Sequence, residues 1–358
     1  MNTTIHTICD EMKKAQMDAM IISDPVSIDY LIDYYTQPGE RLFALILTQS
    51  GQMTLILNQL FPSRSGDQRV SVISYHDGDP ILEQITLILD QGTIGIDKNW
   101  PSHFLIDLMK LKPDFNFVQG SPIIDRIRSI KTNEEVALLR QASHRNDQVM
   151  KELIDHLAAN RTEEEMVEYL GHLYEKYECQ GFSFEPIIAY GPNGADPHHT
   201  TDKSIPQLGQ SIVLDIGSRY NGYCSDMTRT VFWGKASPEY KTIYKTVLNA
   251  NLAAIEHVQP GVSFASIDQA ARSIIEAAGY GPYFTHRTGH SIGREVHEAG
   301  DVGPDNHQLV EVGQVFSIEP GIYLPGKMGV RIEDLVVVTH DGCEVLNQAN
   351  KELIEINK

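Results

Sequence analysis

The sequence predicts an α+β protein of two domains, and two observations support this fold class. Residues 1–122 alternate short apolar runs of strand length with amphipathic stretches of helical length, which is typical of a small mixed α/β domain. Residues 129–235 and 236–340 each show helical patterns followed by strand patterns, so the order of elements recurs within a second domain, residues 123–358. A chain of 358 residues is long enough to bury both cores.

The first predicted domain begins with an amphipathic helix over Thr4–Gln16. Strands are expected at Ala19–Ile22, Phe43–Leu47, Met53–Leu57, Val70–Tyr75 and Thr93–Ile96, and helices at Ile81–Leu89 and Phe104–Leu111. Residues 34–41, YYTQPGER, combine turn residues with charges and are expected to form a solvated loop. Ser121-Pro122 marks the end of this domain.

The second predicted domain begins with a long helix that starts near Ile127. Thr132 with Glu135, and Thr162 with Glu165, have the spacing of capping boxes, in which the two side chains bond each other's backbone. The other expected helices are Met166–Tyr177, Pro238–Val258 and Ser263–Ala278, and the expected later strands are Val315–Ile318, Gly329–Val338 and Glu344–Leu346.

The stretch Ser211–Phe232 predicts a β-hairpin that brings two aspartates together. Asn221-Gly222 favours a two-residue turn, because both central residues of such a turn need a positive φ. This turn places Asp215 opposite Thr228 and makes Asp226 its diagonal neighbour on the same face, roughly 7 Å away. Two carboxylates on one face repel each other, so a metal ion between them is the economical explanation.

Three histidines, His286, His290 and His297, lie in the segment 284–298. Its glycines argue against a continuous helix and permit a close approach of the backbone. The histidines are therefore candidate site residues, although a solvated loop would also explain them.

Charged residues also interrupt two apolar strand patterns. Glu319 follows the expected strand Val315–Ile318, and Arg331 and Glu333 lie inside the very apolar Gly329–Val338. Charges in such strands are costly unless they are paired or bound to a metal. A salt link between Arg331 and Glu333 is the structural alternative to a role in a site.

Together these stretches offer four carboxylates and one imidazole, which suit a site for two metal ions. The candidate ligands are Asp215, Asp226, His290, Glu319 and Glu333. Two divalent ions at such a site would need bridging carboxylates and would hold a hydroxide between them. Oxygen-rich ligation favours Mn²⁺, with Co²⁺, Fe²⁺ or Zn²⁺ as alternatives.

Charge and composition exclude several classes of function. The net charge is 29 − 48 = −19, which disfavours nucleic acid and anionic membranes as partners. The four cysteines are scattered without a CxxC pair, so they suggest neither a zinc finger nor a disulfide framework. The N-terminal residues lack the apolar core of a signal peptide, and no apolar run approaches membrane-spanning length, so a cytoplasmic location is expected.

Five motifs in the second domain carry a resemblance to a known family. VLDIG, two aspartates separated by ten residues, HRTGH followed by VHE, SIEPG and VRIED occur in this order. The chain resembles the metallopeptidase family of prolidases, aminopeptidases P and methionine aminopeptidases. The resemblance implies a C-terminal pita-bread catalytic domain with a smaller, creatinase-like N-terminal α/β domain.

The resemblance also implies a role for each candidate residue. Asp215 would chelate one metal, Asp226 and Glu333 would bridge both, and His290 and Glu319 would complete the site. Glu319 would also be the general base or proton shuttle. His198 matches the family's histidine near the substrate, His297 the histidine thought to contact the scissile carbonyl, and His286 another pocket histidine. Ser291, Arg294 and Asp196 depart from the usual motifs, which leaves the metal ligands intact but puts the specificity in question.

By this resemblance, the protein hydrolyses Xaa-Pro dipeptides with a metal-bound hydroxide. A dipeptidase must recognise the C-terminal carboxylate of its substrate, and Arg287 and Arg331 are the rival candidates for that contact. Family members are usually homodimers, and residues 34–41 are expected to reach the site of the partner subunit.

Three alternatives remain open on the sequence. The first is an Xaa-Pro aminopeptidase that trims longer peptides. The second is a non-catalytic relative that binds peptides or proteins, and the third is a metal-independent creatine hydrolase. The last two are disfavoured because such relatives lack metal ligands, whereas this chain has all five.

Overall fold

The computed structural model describes residues 3–62, 69–89 and 92–357, and the chain divides into two compact units, Met1–Arg128 and Ser129–Lys358. Both units combine helices with sheets, as the sequence predicts. The predicted boundary after residue 122 falls inside a helix, Ser121–Ser129. In the described part of the chain, no helix is both long and apolar enough to cross a membrane.

The first unit is a six-stranded mixed sheet with helices on both faces. Its strands are β1 (Ala19–Ile22), β2 (Ala44–Thr48), β3 (Met53–Asn58), β4 (Val70–Tyr75), β5 (Thr93–Ile96) and β6 (Asn116–Gln119). Their order is β4-β3-β2-β1-β5-β6. Its helices are α1 (Thr3–Lys14), α2 (Pro25–Ile32), α3 (Ile81–Ile88), α4 (Ser102–Leu111) and α5 (Ser121–Ser129). Alternate residues of β2 pack into two separate apolar clusters, so the sheet is covered on both faces.

The sequence reading misses the helix α2 and the strand β6, among other elements of this unit. Asp24 caps α2 through its carboxylate, which accepts a hydrogen bond from Ser27 N, and Pro25 occupies the first helical turn. The edge strand β6 is short and half-exposed, so its apolar pattern is weak.

Residues 34–41 form a connection without helix or strand, as expected.

The second unit has four long helices, and the capping signals locate two of them. They are α6 (Asn133–His156), α7 (Glu163–Lys176), α8 (Pro238–His257) and α9 (Phe264–Ala277). Both capping boxes, Thr132 with Glu135 and Thr162 with Glu165, are formed. The prediction of one long helix from Ile127 is wrong. The chain breaks between α5 and α6, because Thr132 adopts an extended conformation as the N-cap of α6.

The strands of the second unit form two larger sheets and two short ribbons. They are β7 (Ile187–Tyr190), β8 (Ser211–Ile216), β9 (Arg219–Tyr220), β10 (Tyr223–Cys224), β11 (Met227–Trp233), β12 (Gly289–Ser291), β13 (Glu298–Val302), β14 (Val315–Ile318), β15 (Gly321–Leu324), β16 (Met328–Arg331), β17 (Asp334–Val338), β18 (Cys343–Val345) and β19 (Glu355–Ile356). The sheets have the orders β19-β11-β8-β7 and β13-β12-β14-β17-β18, and β10-β9 and β15-β16 are the ribbons. Apolar residues of α6 and α7 pack on the first sheet, and those of α8 and α9 pack with β14 to β17.

The hairpin has the predicted register. Asp215 pairs with Thr228 and Tyr220 with Tyr223, and Asn221 and Gly222 have φ values of 47° and 80°. The two strands are each interrupted, at 217–218 and 225–226, where the backbone of Gly217 lies too close to its neighbours for a side chain. A Cβ at Gly217 would meet Ser225 O at 2.3 Å.

The prediction of one continuous strand over Gly329–Val338 is wrong. β16 ends at Arg331 and pairs with β15, whereas β17 starts at Asp334 and pairs with β14 and β18. The break at Ile332 and Glu333 therefore passes the chain from one sheet to the other, and it places Glu333 between them.

Candidate metal centre

The candidate ligands meet at one cavity of the second unit, with a volume of about 690 Å³. Its lining residues are Phe184, Glu185, Ile187, Pro197, His198, His199, Thr200, Asp215, Asp226, His286, Arg287, His290, Val296, His297, Glu319, Arg331 and Glu333. The structure thus brings all ten candidate ligand, catalytic and substrate-binding residues to the same cavity.

The two aspartates of the hairpin are buried, with relative exposures of 7% for Asp215 and 4% for Asp226. Asp215 Oδ2 accepts a hydrogen bond from Arg331 Nη2 at 2.6 Å, but Asp215 Oδ1 is buried without a partner. Burial raises the pKa of Asp215, although Arg331 opposes this shift. Burial and the neighbouring Asp215 raise the pKa of Asp226 well above its usual range. The charge of Arg331 therefore offsets the burial of these two carboxylates only in part.

Glu333 reaches the same place from the break between β16 and β17. It is 1% exposed, and its Oε2 accepts a hydrogen bond from Thr228 Oγ1 at 2.7 Å. Its backbone is held by Thr228 O and by Arg229, whose Nη1 donates to Glu333 O at 2.5 Å. Burial, and then the charge of Asp226, raise the pKa of Glu333 well above its usual range.

His290 and Glu319 complete the cluster from β12 and from the end of β14. His290 Nε2 lies 3.5 Å from Asp226 Oδ2 and 3.4 Å from Glu319 Oε1. His290 Nδ1 is 3.2 Å from Ser291 O, which can only accept, so the ring presents Nε2 to the carboxylates. Burial tends to raise the pKa of Glu319, but His290, His286 and Arg331 outweigh it and lower the pKa.

This cluster fits a divalent cation by its chemistry. Ligand atoms of Asp226, His290 and Glu333 all lie within 4.8 Å of one another, and all three residues are buried. Three buried carboxylates and the partly buried Glu319 share one imidazole and one arginine, and one carboxylate oxygen has no donor at all. Buried carboxylates in excess of their partners are unfavourable unless cations neutralise them.

Arg331 makes a different ion pair from the one expected. Its guanidinium pairs with Asp215 instead of Glu333, and it also donates to Thr228 Oγ1 at 3.0 Å and to Tyr323 OH at 2.9 Å. Arg331 is only 3% exposed. These contacts give it a structural role beside the aspartates.

The remaining candidate residues line the cavity but differ in their exposure and their partners. Arg287 pairs with Asp301 at 2.7 Å and is partly exposed. His198 is exposed on the segment after β7. The ring of His297 packs against that of His290, with centroids 4.2 Å apart. Partial desolvation of the imidazole, followed by the charge of His290, lowers the pKa of His297 to about 4, so His297 is neutral at pH 7.

Both ring nitrogens of His286 are already occupied. Nδ1 lies 2.6 Å from Arg287 O, and Nε2 lies 2.8 Å from Tyr323 OH. The carbonyl must accept, so Nδ1 carries the hydrogen and Nε2 accepts from the tyrosine. Burial lowers the pKa of His286, consistent with a neutral ring. A substrate could therefore bond a ring nitrogen of His286 only by displacing one of these partners.

The sequence reading misses two residues that organise the centre, Tyr323 and Thr228. Tyr323 links His286 to Arg331, and Thr228 links Glu333 to Arg331. Tyr323 belongs to the quoted SIEPGIY stretch, and Thr228 lies opposite Asp215 in the predicted register. A hydroxyl inside an apolar strand is the signal that points to each of them.

The fold and this site define a metallopeptidase with the pita-bread architecture. Residues 137–340 match the metallopeptidase family M24, and residues 5–130 match the creatinase/prolidase N-terminal domain. The chain therefore belongs to metallopeptidase family M24.

Individual relatives cover nearly the whole chain. An uncharacterized peptidase of Staphylococcus aureus strain MSSA476 is 33% identical over 358 residues, which cover 98% of this chain and 100% of the relative. The crystal structure of a dipeptidase from Pyrococcus horikoshii OT3 has a TM-score of 0.93 at 34% identity, with 99% of this chain and 100% of that chain covered. A prolidase from Thermococcus sibiricus has a TM-score of 0.92 at 32% identity, with 99% and 98% covered.

Proposed function

We propose that this metallopeptidase is an Xaa-Pro dipeptidase that uses two divalent metal ions. The observation that carries this proposal is the clustering of Asp215, Asp226, His290, Glu319 and Glu333 at one cavity, all buried except the partly buried Glu319. In this cluster the carboxylates outnumber the positively charged protein groups beside them. The prolidase and dipeptidase relatives support the choice of substrate.

Asp215, Asp226, His290, Glu319 and Glu333 would together hold the ions. When bound, the ions would supply a water of lowered pKa and a positive charge beside the substrate carbonyl. The mainly oxygen ligands support Mn²⁺.

Glu319 is the proposed proton shuttle. Its lowered pKa keeps it ionised near neutral pH, so it is ready to accept a proton from the attacking water. Glu319 then passes this proton to the proline nitrogen as the peptide bond breaks. Ser317 Oγ, 3.1 Å from Glu319 Oε1, holds the carboxylate in place.

The histidines at the mouth of the cavity would bind the peptide. His297 is neutral, so it can donate a hydrogen bond to the carbonyl oxygen that becomes negative during attack. His198 is exposed in the cavity and would contact the peptide. Arg287 is the better candidate for the substrate carboxylate, because Arg331 is buried against Asp215.

Hydrolysis of defined peptides tests the proposal. With Mn²⁺ present, we expect the enzyme to cleave Leu-Pro but not Leu-Pro-Pro, and we expect Asp226→Asn to abolish this activity. Cleavage of Leu-Pro-Pro instead would identify an Xaa-Pro aminopeptidase. If the wild-type chain binds no metal and cleaves neither peptide, the alternative of a non-catalytic peptide-binding relative is favoured.

Three further expectations belong to this proposal. The enzyme would be a homodimer in the cytoplasm, and residues 34–41 would reach the site of the partner subunit. Unchanged kinetics after deletion of residues 34–41 would contradict that last role.

A further inference from the structure

A second group of titratable side chains lies outside the proposed metal centre, at the start of α7. Glu163 is the first residue of this helix, and its exposed fraction is 0%. Glu163, His199 and Asp202 bring atoms of ligand type within 4.8 Å of one another. His199 also lines the cavity, so this group connects α7 with the cavity wall.

The hydrogen bonds of Glu163 show that it anchors the chain that follows β7. Its Oε1 accepts from Tyr190 N at 2.7 Å and from Asn193 Nδ2 at 2.9 Å. Its Oε2 accepts from Asp202 N at 2.9 Å and bonds His199 Nε2 at 2.7 Å. Four partners use the acceptor capacity of a carboxylate, so this group is an anchor and not a further metal site.

The same segment is also held at its other side, by a close approach of two glycines. The 3₁₀ turn Gly191–Ala195 presses against β16, the strand that ends at Arg331. A Cβ at Gly329 would lie 1.7 Å from Gly194 O. Between this contact and the Glu163 anchor lie Pro197 and His198, which both line the cavity.

We propose that Glu163 is a positioning residue for the substrate. By holding residues 190–202 it sets where His198 and His199 stand in the cavity, although Glu163 itself lies behind them and touches no substrate. This inference rests on the proposed function, because it assigns that wall of the cavity to peptide binding.

The substitution Glu163→Gln tests the anchor, with Glu164→Gln as a matched control. Glutamine keeps the size of the side chain, but its amide nitrogen cannot accept hydrogen bonds. In either orientation of the amide, two of the four partners of Glu163 therefore lose their acceptor. Glu164 is the next residue of the same helix and is exposed, so its substitution changes the net charge equally. The readouts are hydrogen exchange of residues 190–204 without substrate, Mn²⁺ content, and KM and kcat for Leu-Pro.

For Glu163→Gln we expect faster exchange in residues 190–204, a KM raised about tenfold, kcat within about twofold of wild type and unchanged Mn²⁺ content. Glu164→Gln should match the wild type in all four. Unchanged exchange and KM in Glu163→Gln, or a loss of kcat alone, would overturn the proposal.

If Glu163→Gln fails to fold, His199 variants test the same anchor from the cavity side. His199→Gln retains a donor for Glu163 and should keep KM closer to the wild-type value than His199→Ala does. Equal KM values for the two variants would contradict the anchor. If the wild type and Glu164→Gln both fail to cleave Leu-Pro, the proposed function is wrong, whereas the exchange rates still support or overturn the anchor.

Discussion

Individual side chains around the metal centre act mostly by orienting one another. Thr228 donates to Glu333 and accepts from Arg331, and Arg331 in turn holds Asp215. The Thr228 hydroxyl therefore holds Glu333 directly and Asp215 through Arg331. Partners behind metal ligands contribute to affinity because they fix the orientation of the ligand.

The substitution Thr228→Val tests this arrangement. Valine has nearly the same shape but leaves Glu333 Oε2 without its donor, so we expect Mn²⁺ affinity to fall roughly 10- to 100-fold. Calorimetric titration of the metal-free protein with Mn²⁺ would measure the change. The control is Thr230→Val in the same strand, because Thr230 bonds only the backbone of Arg331 in this region. Equal losses in the two variants would contradict the orienting role of Thr228.

Secondary structure elements show what local sequence patterns can and cannot predict. The turn Asn221-Gly222 fixes the hairpin register by its own backbone preferences, so the pairing of Asp215 with Thr228 is predictable from the sequence. The capping boxes are local signals for the same reason. In contrast, the break at Ile332 and Glu333 depends on tertiary pairing. The residues before it pair with β15 and those after it pair with β14, although the whole stretch is one apolar run in the sequence.

Two glycines of the hairpin are expected to respond differently to alanine. At Gly217, a Cβ would meet Ser225 O at 2.3 Å, so Gly217→Ala must push the strands apart beside both aspartates. We expect it to cost about 2 kcal/mol of unfolding free energy and to weaken Mn²⁺ binding.

Gly222→Ala serves as the comparison. Gly222 has a φ of 80° with open space around it, so an added methyl group strains only the turn. The expected loss of unfolding free energy is about 1 kcal/mol, with Mn²⁺ binding unchanged. Denaturant unfolding and metal titration of both variants measure this contrast. If Gly217→Ala binds Mn²⁺ as tightly as the wild type, the close approach of Gly217 to Ser225 is not needed for metal binding.

At the scale of the whole molecule, the sequence motifs point to the five proposed ligands, but the network behind them depends on tertiary packing. The proposed ligand positions follow from residue types and their order, whereas the pairing of Arg331 with Asp215 joins residues that are 116 positions apart. The hydrogen bond at Nε2 of His286 likewise depends on Tyr323, which lies in the ribbon β15-β16. Such contacts leave no trace in a single sequence beyond unexplained polar residues in apolar strands.

Stability of the whole chain should depend on metal and pH together. In the metal-free native state, the pKa values of Asp215, Asp226 and Glu333 are raised. At a pH above their pKa values in the unfolded chain, which are near 4, the native state therefore binds more protons than the unfolded state. These groups therefore lower stability as pH rises from the unfolded pKa through the raised native pKa. Glu319 has a lowered pKa and acts in the opposite direction, but it is one group against three.

We accordingly expect the Tm difference between Mn²⁺-loaded and chelator-treated protein to grow from about pH 5 to about pH 8, because binding releases protons. Thermal unfolding at a series of pH values measures it. Asp226→Asn removes one of the three groups, so its metal-free form should lose less stability over this range. A Tm difference that shrinks as pH rises would contradict the assignment of these carboxylates.

The number of metal ions per chain tests the central claim most directly. Elemental analysis of the wild-type protein after loading with Mn²⁺ and removal of free metal should give two ions per chain. Loss of a bridging carboxylate in Asp226→Asn should remove at least one of them. No retained ions in the folded wild-type protein, or the same content in both proteins, would contradict a two-metal site built on this hairpin.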